Sequence, residues 1–109
     1  MQVVYFIHNE PLAAVKIGVA DDVESRLAGL QTANAATLTL IGVVPAWDGL
    51  ESALHERFRE RRIRGEWFRL TVEEVRDELA MLSQAGIVRL VLAGVERVSS
   101  LKIVKQLNR

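Results

Sequence analysis

The chain has 109 residues, half of them hydrophobic, which fits a single domain with a hydrophobic core and excludes disorder for the body of the protein. It contains no cysteine, so disulfides, thiolate nucleophiles and the usual zinc sites are excluded. Its 14 basic residues balance 14 acidic ones and no apolar run approaches the about 20 residues of a membrane span, so neither a strong overall attraction to DNA nor a membrane partner is expected.

The first part of the chain predicts a β-hairpin. Residues 3–7 are β-branched or aromatic, which favours a strand, and residues 8–11 have the composition of a turn. Residues 14–19 are again mostly apolar, and the short connection makes the two strands antiparallel.

A helix and a third strand are predicted next. Asp21 or Asp22 can cap the helix, residues 31–37 are polar and loop-like, and residues 38–44 predict a strand that Pro45 closes. The apolar positions of the helix have the spacing of one face: Val23, Leu27 and Leu30.

The third strand is followed by a second predicted helix. Asp48 is expected to cap this helix, Gly65 breaks the chain after it, and residues 66–68 predict a short extended piece. The expected buried stripe of the helix consists of Leu50, Ala53, Leu54 and Phe58.

The last part of the chain predicts a third helix and a less regular end. Thr71 and Glu74 have the spacing of a capping box, which predicts a helix over residues 72–84. Residues 87–92 fit a strand or a buried helix turn, and residues 95–107 fit a helix. The order of elements predicts an α/β or α+β fold with a small, mostly antiparallel three-stranded sheet flanked by helices.

Polar residues of the hairpin and the first helix stand in positions that suit phosphate binding. Tyr5 lies in mid-strand, Lys16 interrupts an apolar strand two residues before Gly18, and Arg26 borders the apolar stripe of the helix. Each also has an ordinary structural explanation, since tyrosine can pack with its hydroxyl in water and long cationic side chains can reach solvent. Together they place one weak acid and two cations on neighbouring elements.

The second predicted helix offers a candidate metal ligand. Glu51 and His55 are four residues apart, so they lie on one helix face. A single carboxylate with several waters suits Mg²⁺, and an imidazole can orient a water or contact phosphate. The alternative is a solvated carboxylate–imidazole pair on the protein surface.

The segment over residues 56–69 is locally cationic, with six arginines and three glutamates. Arginine binds phosphate in a two-pronged way, although ion pairs on a solvated helix face would explain the same pattern. The arginines expected to contact nucleic acid are Arg57, Arg61, Arg62 and Arg64.

These residues resemble the motifs of the GIY-YIG nuclease superfamily, in particular its T5orf172 or Mug113-like branch. The first motif, which ends in tyrosine, is similar to Val3-Val4-Tyr5, and the Tyr-Ile-Gly motif is similar to Lys16-Ile17-Gly18, with lysine replacing the second tyrosine. The helical arginine of the superfamily matches Arg26, and its metal-binding glutamate matches Glu51. The runs LQTAN, ESALHERF and GEWF resemble the branch's own signature over residues 2 to about 82, with structural positions at Gly18, Gly65 and Trp67.

The resemblance implies a metal-dependent DNA endonuclease or nickase, which we assign to residues 1–85. Residues 86–109 are expected to form an extension that packs on the domain or mediates association, for example as a homodimer. The implied cofactor is Mg²⁺ or Mn²⁺, and the implied reaction is phosphodiester hydrolysis. The implied roles are proton transfer from water by Tyr5 with help from Lys16 or His55, charge stabilisation by Arg26, and metal binding by Glu51.

Two other functions stay open at this point. A noncatalytic nucleic-acid-binding or regulatory module with the same fold is favoured by Lys16 and disfavoured by the retained Tyr5, Arg26 and Glu51. We expect a cytoplasmic protein of a bacterial or phage-infected cell, and cleavage of DNA would be nonspecific, directed by DNA structure, or targeted by a partner protein. The third function, a protein-interaction domain, would use an apolar dimer edge strand made of Val88, Leu90, Val91 and Leu92.

Overall fold

The computed structural model describes residues 2–92, and the surroundings of side chains are described for residues 2–84. Within this part of the chain the protein has the predicted α+β fold, with a five-stranded antiparallel sheet and three α-helices. In chain order the elements are β1 (Val3–Asn9), β2 (Ala14–Ala20), α1 (Val23–Thr32), β3 (Leu38–Pro45), α2 (Leu50–Arg57), a 3₁₀ turn (Arg59–Arg61), β4 (Arg62–Arg64), β5 (Trp67–Phe68) and α3 (Val72–Leu92).

The sheet has the strand order β3-β1-β2-β5-β4, and each neighbouring pair is antiparallel. The predicted number of three strands is wrong, because β4 and β5 add a second hairpin next to β2. These strands are three and two residues long, too short to show the alternation that identifies a strand in a sequence. Gly65 begins the turn between them with φ at +55°, the left-handed conformation that favours glycine in two-residue hairpins.

Helices cover both faces of this sheet. Tyr5 and Phe6 are adjacent on β1 and therefore point to opposite faces, as their places in the strand predicted. The Phe6 face packs against α2 and α3, and the Tyr5 face packs against α1. The first core includes Val4, Phe6, Val15, Ile17, Leu54 and Leu79, and the second includes Tyr5, Ile7, Ala20 and Leu38 with Val23, Leu27 and Leu30 against it.

Two helices begin at the predicted side-chain caps. Asp22 caps α1, because its Oδ1 accepts a hydrogen bond from the Ser25 amide at 3.1 Å. The capping box of α3 is formed in both directions: the Glu74 amide donates to Thr71 Oγ1 at 3.0 Å, and the Thr71 amide donates to Glu74 Oε1 at 2.9 Å. These starts are set by local chemistry that the sequence displays.

The second helix departs from prediction in its cap and in its buried face. Asp48 does not cap α2; the cap residue is Gly49, with φ at +81° and no side-chain cap bond. The left-handed turn at Gly49 places the start of the helix one residue later than an aspartate cap would. Ala53 is exposed, whereas Leu50 and Leu54 are buried, because this eight-residue helix contacts the sheet along a narrow i,i+4 stripe.

The third helix is longer than predicted. It continues without a break to Leu92, so the expected end near Gln84 and the strand alternative for residues 87–92 are wrong. The proposed division between residues 85 and 86 therefore falls inside α3. The helix predicted over residues 95–107 lies outside the described residues. Among the helices that are described, none combines the length and hydrophobicity needed to cross a membrane.

Candidate active site at the sheet edge

The candidate site lies where β2 extends past its short neighbour β5. Only Val15 and Lys16 of β2 pair with β5, opposite Phe68 and Trp67. The next residue, Ile17, donates its amide to the Glu66 carbonyl at 3.0 Å. Its carbonyl accepts from His55 Nε2 at 2.9 Å, so a side chain of α2 replaces the missing strand partner at this point. Because that nitrogen faces a carbonyl oxygen, it is the donor of this hydrogen bond.

The tyrosine, the glycine and the arginine of the motifs are brought together on the α1 face. Tyr5 is fully buried and lies directly opposite Gly18 in the β1–β2 ladder. A Cβ at Gly18 would lie 2.5 Å from the Tyr5 hydroxyl oxygen, so only glycine leaves room for the phenol. Arg26 reaches over from α1 and donates from Nη1 to that oxygen at 3.4 Å. This hydrogen bond links the phenol to α1.

Lys16 connects this group to the β4–β5 hairpin. Its Nζ lies 3.0 Å from Glu66 Oε1, and the lysine side chain is only 15% exposed. The same Nζ is 5.7 Å from the centre of the Trp67 ring, within the range of a cation–π contact. Glu66 Oε1 also lies 3.0 Å from the place of a Cβ on Gly18, so it shares this space with the tyrosine hydroxyl. Trp67 thus contributes to the site beyond its predicted structural position.

Three potential metal ligands meet next to Lys16. Ligand atoms of Glu51, His55 and Glu66 all lie within 4.8 Å of one another. Two carboxylates form a donor set that suits Mg²⁺ or Mn²⁺, and a neutral imidazole can complete it. The residues present therefore fit the divalent ion that the sequence predicted.

The electrostatics of this cluster favour a cation. Burial raises the pKa of Glu51, and repulsion from the Glu66 carboxylate raises it further, while His55 and Lys16 lower it in part. Two carboxylates this close repel each other when both are ionised, and a bound cation removes that repulsion.

The arginines predicted to contact nucleic acid are mostly engaged with the protein itself. Arg57 Nε donates to Glu78 Oε1 at 2.9 Å, and Arg61 binds both carboxylate oxygens of Glu74 at 2.8 Å. Arg62 Nε donates to the Gly65 carbonyl at 2.6 Å. Arg64 is exposed on β4. Contact of these arginines with nucleic acid stays a prediction.

Sequence reasoning missed Glu66. It was expected only as part of an extended GEWF piece, since a lone glutamate in a turn looks like an ordinary solvated residue. The short-range sequence gives no sign that the turn folds back onto β2. The available signal was its place beside Trp67, within a run that already resembled a family signature.

Comparison with known proteins yields one family. The model of the T5orf172 domain matches residues 2–83, which is most of the chain. Searches of curated proteins and of solved structures returned no match.

Proposed function

Because the chain belongs to the T5orf172 domain family, a GIY-YIG-like nuclease-associated branch, we propose that it is a metal-dependent DNA endonuclease or nickase. Family membership makes it a nuclease-like or DNA-related module. The observation that carries the finer proposal is the gathering of Tyr5, Lys16, Arg26 and Glu51 around Gly18 and Glu66 at one edge of the sheet.

The proposed reaction is hydrolysis of a phosphodiester bond. A water oxygen attacks phosphorus, the bond from phosphorus to the 3′-oxygen breaks, and the leaving oxygen takes up a proton. Tyr5 as its phenolate, or a water that it polarises, accepts the proton of the attacking water, and Arg26 holds the buried side chain for this by its hydrogen bond to the phenol oxygen. The guanidinium of Arg26 also stabilises charge that develops on the phosphoryl oxygens.

Mg²⁺ or Mn²⁺, held by Glu51, would supply neutralisation of phosphate charge and of the leaving oxygen. His55 serves the site by fixing β2: its hydrogen bond to the Ile17 carbonyl holds α2, and with it Glu51, against the strand that carries Gly18. We propose DNA as the substrate in the cytoplasm, with a partner protein supplying the target.

A plasmid assay tests this function. We expect the protein to convert supercoiled DNA to the nicked or linear form in Mg²⁺ or Mn²⁺ but not in EDTA. Glu51→Gln should reduce the rate by at least about 100-fold, as expected when a metal ligand is lost. Glu73→Gln removes an exposed carboxylate of α3 and should leave the rate unchanged. Full activity of the Glu51 variant would contradict the proposal.

A noncatalytic nucleic-acid-binding module is the second candidate. The observation in its favour is Lys16, which stands where the superfamily has a second tyrosine and which pairs with Glu66 instead of facing a free phosphate pocket. Retarded migration of DNA without cleavage, over a wide range of metal ions and pH, would support this module over the enzyme.

A further inference from the structure

We propose that Glu66 is the second carboxylate of the divalent-cation site, and that Lys16 is its counterion until the cation binds and then turns to the substrate phosphate. This inference rests on the proposed function in one respect, since it needs a site that takes a divalent cation at Glu51. It assigns new roles to two residues. Glu66 of the β4–β5 hairpin is a metal ligand, and Lys16 changes its partner when the cation binds.

The position of Glu66 is fixed by backbone as well as side-chain contacts. Its carbonyl accepts the Ile17 amide at 3.0 Å, which ties the turn of the hairpin to the free end of the β2–β5 ladder. Its carboxylate lies within 4.8 Å of the ligand atoms of Glu51 and His55, which come from α2. The β4–β5 hairpin and α2 therefore bring potential metal ligands close together. Both elements are hydrogen-bonded to Ile17 of β2.

A second observation is the close approach of Tyr5 and Glu66 to Gly18. A side chain at this position would approach the Tyr5 hydroxyl to 2.5 Å and Glu66 Oε1 to 3.0 Å. The tyrosine oxygen and the Glu66 oxygen therefore border the same small volume beside Gly18. A cation bound by Glu66 would lie beside the phenol that the proposed reaction uses, where its charge acts on the attacking water.

Lys16 balances the charge of this volume only in part. One ammonium group faces two carboxylates, Glu51 and Glu66, and it contacts Glu66 directly at 3.0 Å. A divalent cation can satisfy both carboxylates at once, so it replaces the ammonium as the partner of Glu66. The released Nζ stays next to the cation, because the lysine stem is mostly buried and lies near the Trp67 ring. A phosphate oxygen is the natural new partner for it.

Linkage makes this exchange reciprocal. If the cation frees Lys16 for phosphate, then the cation strengthens phosphate binding through Lys16, and phosphate strengthens cation binding by the same factor. Loss of the lysine should therefore have two opposite effects: tighter binding of the cation alone, and weaker binding of DNA when the cation is present.

The first experiment measures cation binding without DNA, by calorimetric titration of Mn²⁺ into the full chain. Glu66→Gln should weaken Mn²⁺ binding by about 10-fold or more, and Lys16→Met should tighten it several-fold. Glu73→Gln is the matched control for the lost carboxylate and should bind as the wild type does. Circular dichroism melts identify any variant that fails to fold, and Glu66→Asp, which keeps the charge, then replaces Glu66→Gln. Unchanged Mn²⁺ affinity in a folded Glu66→Gln variant would overturn the proposal.

The second experiment measures binding of a short fluorescent DNA duplex in Ca²⁺, used to allow binding without cleavage, and in EDTA. Lys16→Met should weaken binding by about 5-fold in Ca²⁺ and leave it unchanged in EDTA, whereas Arg76→Met, which removes an exposed charge of α3, should change both alike. If Lys16→Met weakens DNA binding equally in Ca²⁺ and in EDTA, the lysine contacts phosphate whether or not the cation is bound. That result would refute the proposed change of partner by Lys16.

The two proposals can fail separately. Mn²⁺ binding that depends on Glu66 in a protein that never cuts DNA would reject the enzyme and keep the Glu66 ligand. Metal-dependent nicking by a Glu66→Gln variant with undiminished Mn²⁺ affinity would keep the enzyme and reject the ligand.

Discussion

The absence of a side chain at Gly18 determines how the buried Tyr5 packs. Tyr5 and Gly18 are direct partners in the β1–β2 ladder, and the phenol lies across the glycine so closely that a methyl group at Gly18 would come within 2.6 Å of the ring carbon that bears the hydroxyl. Aromatic rings in a packed interior cannot move aside as the end of a flexible chain can. The glycine is thus needed for its size, since it has no positive φ.

We predict that Gly18→Ala displaces the Tyr5 ring and lowers the free energy of unfolding by about 1–3 kcal/mol, the usual cost of overpacking. Nicking should also fall, because the hydroxyl loses its position near Arg26. Gly29→Ala is the matched control: a Cβ there meets no atom within 4 Å, and alanine in a helix should raise stability by up to about 1 kcal/mol. Urea unfolding measures both, and equal stability of the two variants would contradict the packing argument.

At the scale of single elements, the start of α3 combines a cap with an ion pair. Glu74 forms the capping box with Thr71. Its carboxylate also accepts hydrogen bonds from Nη1 and Nη2 of Arg61, which lies in the 3₁₀ turn. The Arg61 hydrogen bonds, followed by the Thr71 amide, lower the pKa of Glu74 from 4.5 to about 2. One carboxylate therefore stabilises the helix start and holds the preceding turn against it.

This shift predicts how stability depends on pH. Because the pKa of Glu74 is lower in the folded protein than in the unfolded chain, its contribution is complete above pH 4.5 and is lost as the pH falls towards about 2. The carboxylate is 38% exposed, so solvent screening limits the contribution to roughly 1 kcal/mol or less. Urea unfolding between pH 2 and 6 should show a shallower dependence for Glu74→Gln than for the wild type. If the free energy of unfolding of Glu74→Gln depends on pH as steeply as that of the wild type, this carboxylate is not a source of the pH dependence.

The elements differ in how far their sequences determine them. β1, β2, β3 and α1 have regular apolar patterns, and α3 has a capping box, so their positions could be predicted. The hairpin of β4 and β5 could not, because Arg62–Arg64 is exposed and charged and becomes a strand only through pairing with β5. The same tertiary contact brings Glu66 to β2, so the candidate site was predictable in its motif residues and not in its second carboxylate.

At the scale of the whole molecule, the candidate site depends on how both helical layers are docked. Arg26 and Tyr5 come from the α1 side of the sheet, whereas Glu51 and His55 come from α2 on the other side. They meet only because β5 ends early and leaves an edge that both layers reach. Movement of α2 relative to the sheet would separate the metal ligands from the phenol, so the contacts that hold α2 in place also support function.

The ion pair between α2 and α3 is one such contact, and it gives our last prediction. Glu78 on α3 is nearly buried, with its side chain 8% exposed, and Arg57 at the end of α2 donates to it at 2.9 Å. Arg57→Ala leaves this carboxylate buried without its donor, so we expect a loss of about 1–3 kcal/mol in the free energy of unfolding. Arg59→Ala breaks an exposed pair with Glu56 and should cost less than about 0.5 kcal/mol. If Arg57 instead acts mainly through DNA, its variant will unfold like the Arg59 variant in urea and will differ from it only in DNA affinity.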